Sequence, residues 1–376
     1  METQIPESLR PAFERKAHPY HMWDALLSVP QALEDVLSVQ SRDAIRRAAE
    51  AIKDREPIYL IGCGTSYFSA IAATFVFHSL SSYLAYPYNA FEFSAYPPPH
   101  LEKSAVVAIS HTGSTPAVIH GVELAQKQGT CVIGLTDDVT SPLARLANYT
   151  ISGSFGREPA LPKTRSYLTA LLRHYLLAVE LAGCKGRELA QFHSVLLNSS
   201  KIAQMVLQST ETQVKELSNA PYPANRMVVV GGGPQVATAN EAALKLIETA
   251  SVDAVAWELE EAVHGTWAST EKGDWVIVLA MKGPGFAGSE RLVAGMKAID
   301  VNVWVITNES NGLKGADHVT YLPDEIPELF MPLFAILPLY QFAYHLALVR
   351  AIHPDIMRLD DPRYLKARMI MRQVSK

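Results

Sequence analysis

Three charged residues in the segment NEAALKLIETA are spaced so that a single helix face would carry all of them. Glu241, Lys245 and Glu248 occupy positions i, i+4 and i+7, which point to the same side of an α-helix. In an average helix such a row is a solvated stripe held by a salt bridge. Here the other residues are mostly apolar or small, and the segment follows the strand-like run MVVVGGGPQ. We therefore expect the row to face a cleft.

A histidine follows this row and could complete an acid–base pair with it. His264 comes sixteen residues after Glu248, in the polar, glycine-containing stretch EEAVHGTW. A carboxylate can take a proton from carbon and return it to the neighbouring carbon, and an imidazole can open a sugar ring or protonate a leaving group. The sequence contains no HExxH-like ligand set, so we expect neither a metal nor a cofactor in this chemistry.

Hydroxyl-bearing residues form a second group, at two junctions in the N-terminal half. The stretches AISHTGSTPAVIHG (108–121) and IGCGTS each place small polar residues between a strand-like run and a helix-like segment. These residue types are ordinary in turns and helix caps, but free N–H groups and hydroxyls at a helix start also bind phosphate. The candidate anion ligands are Thr65, Ser66, Ser110, His111, Thr112 and Thr115. The histidine would serve equally well as a neutral spacer.

The elements that must position these residues follow one pattern twice, since strand-like runs alternate with helix-like segments in both halves. The runs are 57–62, 85–93, 104–110 and 130–136 in the first half and 226–233, 252–258, 274–283 and 301–308 in the second. This alternation predicts an α/β protein with two three-layer sandwiches, each with a mainly parallel sheet, related by internal duplication. Ligands bind at the carboxyl edge of such sheets. The two hydroxyl-bearing turns should therefore lie side by side.

The same pattern divides the chain into four parts. We place a leader or helical segment at 1–45, a phosphate-binding domain at 46–200, a second domain with the acid and base at 201–350, and a tail that closes the active site at 351–376.

Composition limits the class of partner. The chain has 376 residues, a formal net charge of −5 and no block of Lys and Arg, which argues against nucleic acid and anionic membranes. The run LFMPLFAILPLYQFAYHLALV comes nearest to a membrane span, but its prolines and the polar Gln341 and His345 favour a buried core helix. The start of the chain lacks the apolar region of a secretory signal, and the three cysteines form no CxxC pair. We expect a cytoplasmic protein with a small-molecule ligand.

Five motifs together resemble those of the double sugar isomerase (SIS) domain family, which includes the isomerase half of glucosamine-6-phosphate synthase. They are CGTSY (63–67), SHTGST (110–115), KTRSYLT (163–169), EAALKLIE (241–248) and ELEEAVHG (258–265). The resemblance implies that the first two motifs bind the phosphate of a sugar phosphate. It implies that Glu248 is the isomerisation base, with Glu241 and Lys245 beside it. His264 would open the sugar ring across the interface of a homodimer with shared active sites.

The chain departs from the synthase pattern in three places. We expect no glutaminase domain, because no cysteine nucleophile follows Met1. Lys163 stands where a serine is usual, and Arg165 stands where a lysine is usual. The position of the Schiff-base lysine in the tail falls on Ala367, with Lys366 one residue earlier. Lys366 is thus the tail residue that could contribute to the site in its place.

These observations together predict a phosphosugar isomerase, or an aminosugar-phosphate deglycase or deaminase, that moves a proton between C1 and C2. Two alternatives stay open. A non-catalytic sugar-phosphate sensor would keep the hydroxyls of the first half without needing Glu248 and His264. An ammonia-dependent isomerase similar to the synthase, but without a glutaminase domain, would keep the hydroxyls of the first half together with Glu248 and His264.

Overall fold

The computed structural model describes residues 5–153, 155–187, 189–220, 226–311 and 313–372. The described part of the chain begins with a 3-10 turn and three helices, which precede the first sheet. They are α1 (His21–Leu27), α2 (Val29–Val36) and α3 (Val39–Ile52). The side chain of Ser38 caps α3 by accepting a hydrogen bond from the backbone N–H of Ser41. The boundary expected after residue 45 falls inside α3, whose buried face includes both Ile45 and Ile52.

Five parallel strands form the first sheet, in the order β2-β1-β3-β4-β5. The strands are β1 (Ile58–Gly62), β2 (Ala85–Asn89), β3 (Ala105–Ile109), β4 (Cys131–Thr136) and β5 (Tyr149–Ser152). Their helices are α4 (Thr65–Val76), which continues into a π-helical turn, α5 (Ala90–Ala95), α6 (Pro116–Lys127) and α7 (Pro142–Leu146). In β1, Leu60 and Ile61 pack into apolar clusters on opposite faces. The strand is therefore covered on both sides, which is typical of parallel sheets.

Three helices lead from the first sheet to the second. They are α8 (Arg165–Cys184), α9 (Ala190–Leu197) and α10 (Ser199–Ser218). Helix α8 is buried along most of its length and packs against α3 and α4, because apolar residues occur on every side of it. The domain boundary expected after residue 200 falls inside α10, the helix that leads into the second half.

The second sheet repeats the first, with five parallel strands in the order β10-β9-β8-β6-β7. The strands are β6 (Arg226–Gly231), β7 (Asp253–Glu258), β8 (Trp275–Leu279), β9 (Asn302–Thr307) and β10 (His318–Tyr321). Their helices are α11 (Gln235–Ala250), α12 (Leu259–Val263) and α13 (Phe286–Ala298). The two parallel sheets confirm the duplicated α/β fold that the alternation predicts.

Two helices, α14 (Pro332–Val349) and α15 (Pro362–Met371), follow the second sheet. In the part of the chain that the structure describes, α14 is the one helix long and apolar enough to cross a membrane, and 89% of it is buried inside the protein. It packs against α10 and α11. The prediction that this apolar run is a core helix is confirmed.

One apolar cluster connects the two halves of the molecule. It contains Leu60 and Val107 from the first sheet, Val229 and Ile277 from the second, and much of α14. Two smaller clusters cover the outer faces of the sheets. Because the inner faces share one core, the packing of α4 against α11 determines where the first turn meets the charged row.

Candidate active site

The two hydroxyl-bearing turns lie next to each other at the carboxyl edge of the first sheet. β1 and β3 are neighbouring parallel strands, so the turns that follow Gly62 and Ile109 leave the sheet at adjacent positions. Each turn leads into a helix, which begins at Thr65 after β1 and at Pro116 after β3. This confirms the adjacency predicted from the strand order, and the turns present two helix N-termini at one edge.

The second turn carries hydroxyl groups that bond to one another. Ser110 Oγ lies 2.9 Å from Thr115 Oγ1, and Thr112 Oγ1 lies 3.0 Å from Ser114 Oγ. Gly113 has a φ of 60°, and a Cβ there would come within 2.0 Å of a neighbouring serine hydroxyl, so the turn requires glycine. Paired hydroxyls of this kind can rotate to donate to an incoming anion.

The ring of His111 is engaged on both sides by its own chain. Its Nε2 accepts a hydrogen bond from the backbone N–H of Glu158 at 3.2 Å, so its Nδ1 carries the hydrogen and donates to Asp137 Oδ2 at 2.7 Å. The ring therefore holds the turn in place and has no nitrogen left for a phosphate oxygen. This corrects the expectation of a side-chain contact, and it leaves the backbone N–H of His111 as the group that could reach an anion.

Asp137 also holds the buried guanidinium of Arg173, at the end of β4. The distance from Arg173 Nη2 to Asp137 Oδ1 is 2.5 Å, and the two side chains are 3% and 8% exposed. Burial opposes the charge on Asp137, but Arg173 and His111 outweigh it and hold the pKa of this carboxyl well below its usual range. A Cβ at Gly153 would clash with both partners. The network is a rigid support beneath the second turn.

The charged row of α11 faces the interior, as predicted, and meets the first turn there. Lys245 Nζ lies 2.5 Å from Glu248 Oε2, 3.4 Å from Glu241 Oε1 and 3.1 Å from Thr65 Oγ1. Glu241 and Lys245 are buried, whereas the side chain of Glu248 is 15% exposed. Burial by itself opposes the charge on Lys245, but its two carboxylate neighbours raise the pKa of this ammonium. Lys245 thus links the first domain to the second.

Glu241 is the deepest member of the row. The hydroxyl of Tyr340 on α14 donates to Glu241 Oε1 at 2.8 Å. Burial, with a contribution from Glu248, raises the pKa of Glu241 to about 7, although Lys245 and the hydroxyl bonds oppose the shift. The carboxyl group therefore exchanges its proton near neutral pH, next to a lysine and a second carboxylate.

The raised pKa of Glu241 predicts how stability depends on pH. The unfolded chain gives up this proton near the ordinary pKa of about 4.5, and the folded chain gives it up near 7. Stability from the protonated carboxyl is therefore present at low pH and declines as pH rises through this window, by about 3 kcal/mol if the group acts alone. Glu241→Gln should flatten the decline between pH 5 and 7, measured by urea unfolding. Glu290→Gln, on the exposed surface of α13, is the control, and equal slopes in all three proteins would contradict the assignment.

His264 lies apart from the charged row within the described chain. It follows α12, its side chain is 67% exposed, and its Nδ1 lies 3.0 Å from the backbone carbonyl of Glu260. No contact among the described residues joins it to Glu248. A single chain therefore brings together the row and the first turn but not the histidine.

The tail helix exposes the lysine that was expected to contribute to the site and partly buries an arginine instead. Lys366 is exposed on α15, while Arg368 is half-buried on the face that also buries Leu365. Residues two apart on a helix lie on nearly opposite sides, so Lys366 and Arg368 cannot both face inward. Burial and Arg372 lower the pKa of Arg368, and Glu248 opposes this shift. In the sequence, Arg368 lies three positions after Leu365, a spacing that puts both on one face of a helix. This spacing could have indicated that Arg368 faces inward.

Lys163 is a further site residue that the sequence showed only as a departure from the family pattern. A cavity beside the first turn is lined by Thr65, Ser66, Lys163 and Ser166, with Asp137 and Arg173 behind them. Within the described ranges, no three His, Cys, Asp or Glu side chains converge on a common point that could hold a metal. The site is thus built from hydroxyls, backbone groups, two lysines and a pair of carboxylates.

Comparisons with known proteins agree with this architecture. The chain is 28% identical over 348 residues to a glutamine–fructose-6-phosphate aminotransferase (isomerizing) of Thermococcus kodakarensis, and the match covers 91% of this chain and 57% of that protein. The chain therefore spans little more than half the length of the curated relatives it matches.

Two solved structures share the fold over most of their length. The C-terminal domain of the glucosamine-fructose-6-phosphate aminotransferase of Francisella tularensis superimposes with a TM-score of 0.83 at 19% identity, covering 90% of this chain and 98% of that one. A glucosamine-6-phosphate deaminase of Thermotoga maritima gives a TM-score of 0.69 at 20% identity, with 89% and 96% covered. The sequence profile of the SIS domain matches residues 51–180 and again 222–350. The chain therefore belongs to the SIS domain family and contains two SIS domains.

Proposed function

We propose that the protein is a phosphosugar isomerase that acts on an aminosugar 6-phosphate and releases its amine, as a deaminase or deglycase. One observation carries the proposal. Lys245 Nζ lies within hydrogen-bond distance of both Thr65 Oγ1 and Glu248 Oε2. A helix start suited to phosphate and a partly exposed carboxylate thus stand on either side of one ammonium, close enough for a six-carbon substrate to contact both.

The chemistry assigned to these groups is a proton transfer followed by hydrolysis. Phosphate is bound by the hydroxyls and backbone N–H groups of the two turns. In the open chain of a 2-amino aldose 6-phosphate, the Glu248 carboxylate takes the proton from C2, the electron pair forms a C1–C2 double bond, and the C1 carbonyl oxygen takes a proton from water to give an enolamine. Return of the proton to C1 leaves an imine at C2. Water then adds to the imine, and ammonia leaves to give the ketose 6-phosphate. With a fructosyl-amino acid 6-phosphate the proton is taken from C1 and returned to C2, so the imine forms at C1 and its hydrolysis gives the aldose 6-phosphate and the free amino acid.

Lys245 would stabilise the negative charge that develops during proton transfer. Its ammonium is held between two carboxylates, so it is fixed before the substrate arrives and costs little reorganisation in the reaction. Glu241 would keep Lys245 in position, supported by Tyr340.

His264 is assigned to ring opening in the site of a partner subunit. Its exposed position after α12 suits a residue that completes a neighbouring site, which the resemblance to the family also implies. We therefore propose a cytoplasmic homodimer with shared active sites. Light scattering should give twice the chain mass of 41.2 kDa, and a monomer that turns over substrate would contradict the shared site.

Names of the relatives support the substrate class. One is named an aminotransferase for fructose 6-phosphate and another a deaminase of glucosamine 6-phosphate, so both names combine a hexose 6-phosphate with transfer or loss of nitrogen. The chain matches about half of the first protein, and the second match is one of fold. These names therefore guide the choice of substrates to test.

The test is a substrate panel with two readouts. Glucosamine 6-phosphate, fructose 6-phosphate with ammonium, and fructosyl-amino acid 6-phosphates are incubated with the purified protein, while free amine and sugar interconversion are measured. Amine release from an aminosugar phosphate is the expected result. Synthesis of glucosamine 6-phosphate from fructose 6-phosphate and ammonium would favour the synthase-like isomerase instead. Binding without turnover across the panel would favour the sensor.

A further inference from the structure

Lys163 lies beside the candidate phosphate site. It lies in the segment before α8 and lines the same cavity as Thr65, Ser66 and Ser166. The other cation that lines this cavity, Arg173, is paired with Asp137. Lys163 is therefore the lysine of this cavity whose charge could act on a ligand.

The ammonium of Lys163 is held in place by neutral groups. Its Nζ donates to the backbone carbonyls of Glu158 at 2.8 Å and of Ala160 at 2.6 Å. An ammonium has three N–H donors, and the residues that the structure describes supply no partner for the third. Two anchored donors fix the head group of this flexible side chain, and one remains for a ligand in the cavity.

The nearest carboxylate is committed elsewhere. Glu158 Oε1 accepts from the backbone N–H of Ser166 at 2.7 Å, and its Oε2 accepts from the backbone N–H of Thr164 at 3.0 Å. Over the described part of the chain, no carboxylate oxygen is found in a salt bridge with Lys163 Nζ. Burial lowers the pKa of Lys163, with help from Lys245 and Arg165, while Glu158 and Glu248 oppose the shift. An anion in the cavity would favour the charged form.

We propose that Lys163 binds a phosphate oxygen of the substrate directly, so that this site combines a lysine with hydroxyls and helix N-termini. The inference rests on the proposed function, because it takes the phosphate of a sugar 6-phosphate as the ligand. It makes the site selective for a dianionic phosphate monoester over an ester of equal shape with a single charge. A charge-assisted hydrogen bond to a fixed ammonium gains more from a dianion than from a monoanion.

The test compares two ligands that differ in charge and little in shape. Calorimetry measures the Kd of fructose 6-phosphate and of fructose 6-sulfate for the wild type, Lys163→Met, Lys163→Arg and the control Lys272→Met, an exposed lysine. Lys163→Met should raise the Kd of the phosphate roughly ten- to a hundredfold and that of the sulfate much less. Lys163→Arg keeps the charge and should recover part of the affinity. The control should match the wild type.

The outcome separates this inference from the proposed function. Wild-type protein that binds fructose 6-phosphate, together with a folded Lys163→Met variant of unchanged affinity, would overturn the role of Lys163 alone. An equal loss for phosphate and sulfate would also overturn it, because that result indicates only a structural role. Should Lys163→Met not fold, Lys163→Ser, with a smaller side chain, replaces it in the same comparison. A wild type that binds no sugar phosphate would refute the proposed function itself.

Discussion

Replacing Glu248 with glutamine is expected to lower kcat on the aminosugar phosphate by about 10²- to 10⁴-fold, the usual contribution of a positioned proton-transfer group. The amide keeps the size of the side chain but cannot take a proton from carbon. KM should change little, because the phosphate is bound by the turns of the first domain. Steady-state kinetics of amine release measure both constants.

Two controls isolate the chemical role of Glu248. Glu290→Gln changes an exposed glutamate of α13 in the same way and should leave kcat unchanged. Binding of fructose 6-phosphate to Glu248→Gln should also be retained, which shows that the site is intact. A Glu248→Gln variant with wild-type kcat would remove this residue from the mechanism, and one that binds no ligand would indicate collapse of the row around Lys245.

Among the substitutions proposed here, Asp137→Asn should lower the free energy of unfolding the most. The substitution keeps the shape of the side chain but leaves the charge of Arg173, which is 3% exposed, without a counter-charge. Breaking a buried ion pair from one side costs about 3–5 kcal/mol. The amide also weakens the hydrogen bond that holds His111, so the affinity for sugar phosphate should fall together with the free energy of unfolding in urea.

The next residue along the chain offers a matched control. Asp138 pairs with Arg157 at the surface, where the arginine side chain is 58% exposed. Surface ion pairs contribute about 0–1 kcal/mol, so Asp138→Asn should be nearly neutral. A similar decrease in the free energy of unfolding of both variants would contradict the prediction that breaking the buried pair of Asp137 and Arg173 costs more than breaking a surface pair.

Local patterns along the sequence were enough to predict most of the fold. Apolar runs such as 226–231 form strands that are buried on both faces, and helix α11 (Gln235–Ala250) contains the segment NEAALKLIETA that was predicted to be helical. Strands β5 and β10 were missed. Each has only four residues and lies at the edge of its sheet, where a short, half-exposed strand produces no apolar run for a pattern to detect.

Some site residues could be predicted because their spacing is local. The row from Glu241 to Glu248 lies within one helix, and its helical period and apolar surroundings already indicate an inward face. The adjacency of the two hydroxyl-bearing turns followed from the strand pattern alone, since parallel strands end at a common edge. In the first case the geometry follows from the regular period of a helix, and in the second from the common direction of parallel strands.

The sequence by itself determined the duplicated α/β fold, the edge where the turns meet, and the inward face of the charged row, because periodicity within an element depends on neighbours along the chain. Only the tertiary structure decided that Lys245 reaches Thr65, that the ring of His111 supports the turn, and that Arg368 rather than Lys366 is half-buried on α15. These contacts join residues far apart in the chain. Their geometry depends on how α4, α11 and α15 pack around a shared core, and the spacing of residues along the sequence does not predict that packing.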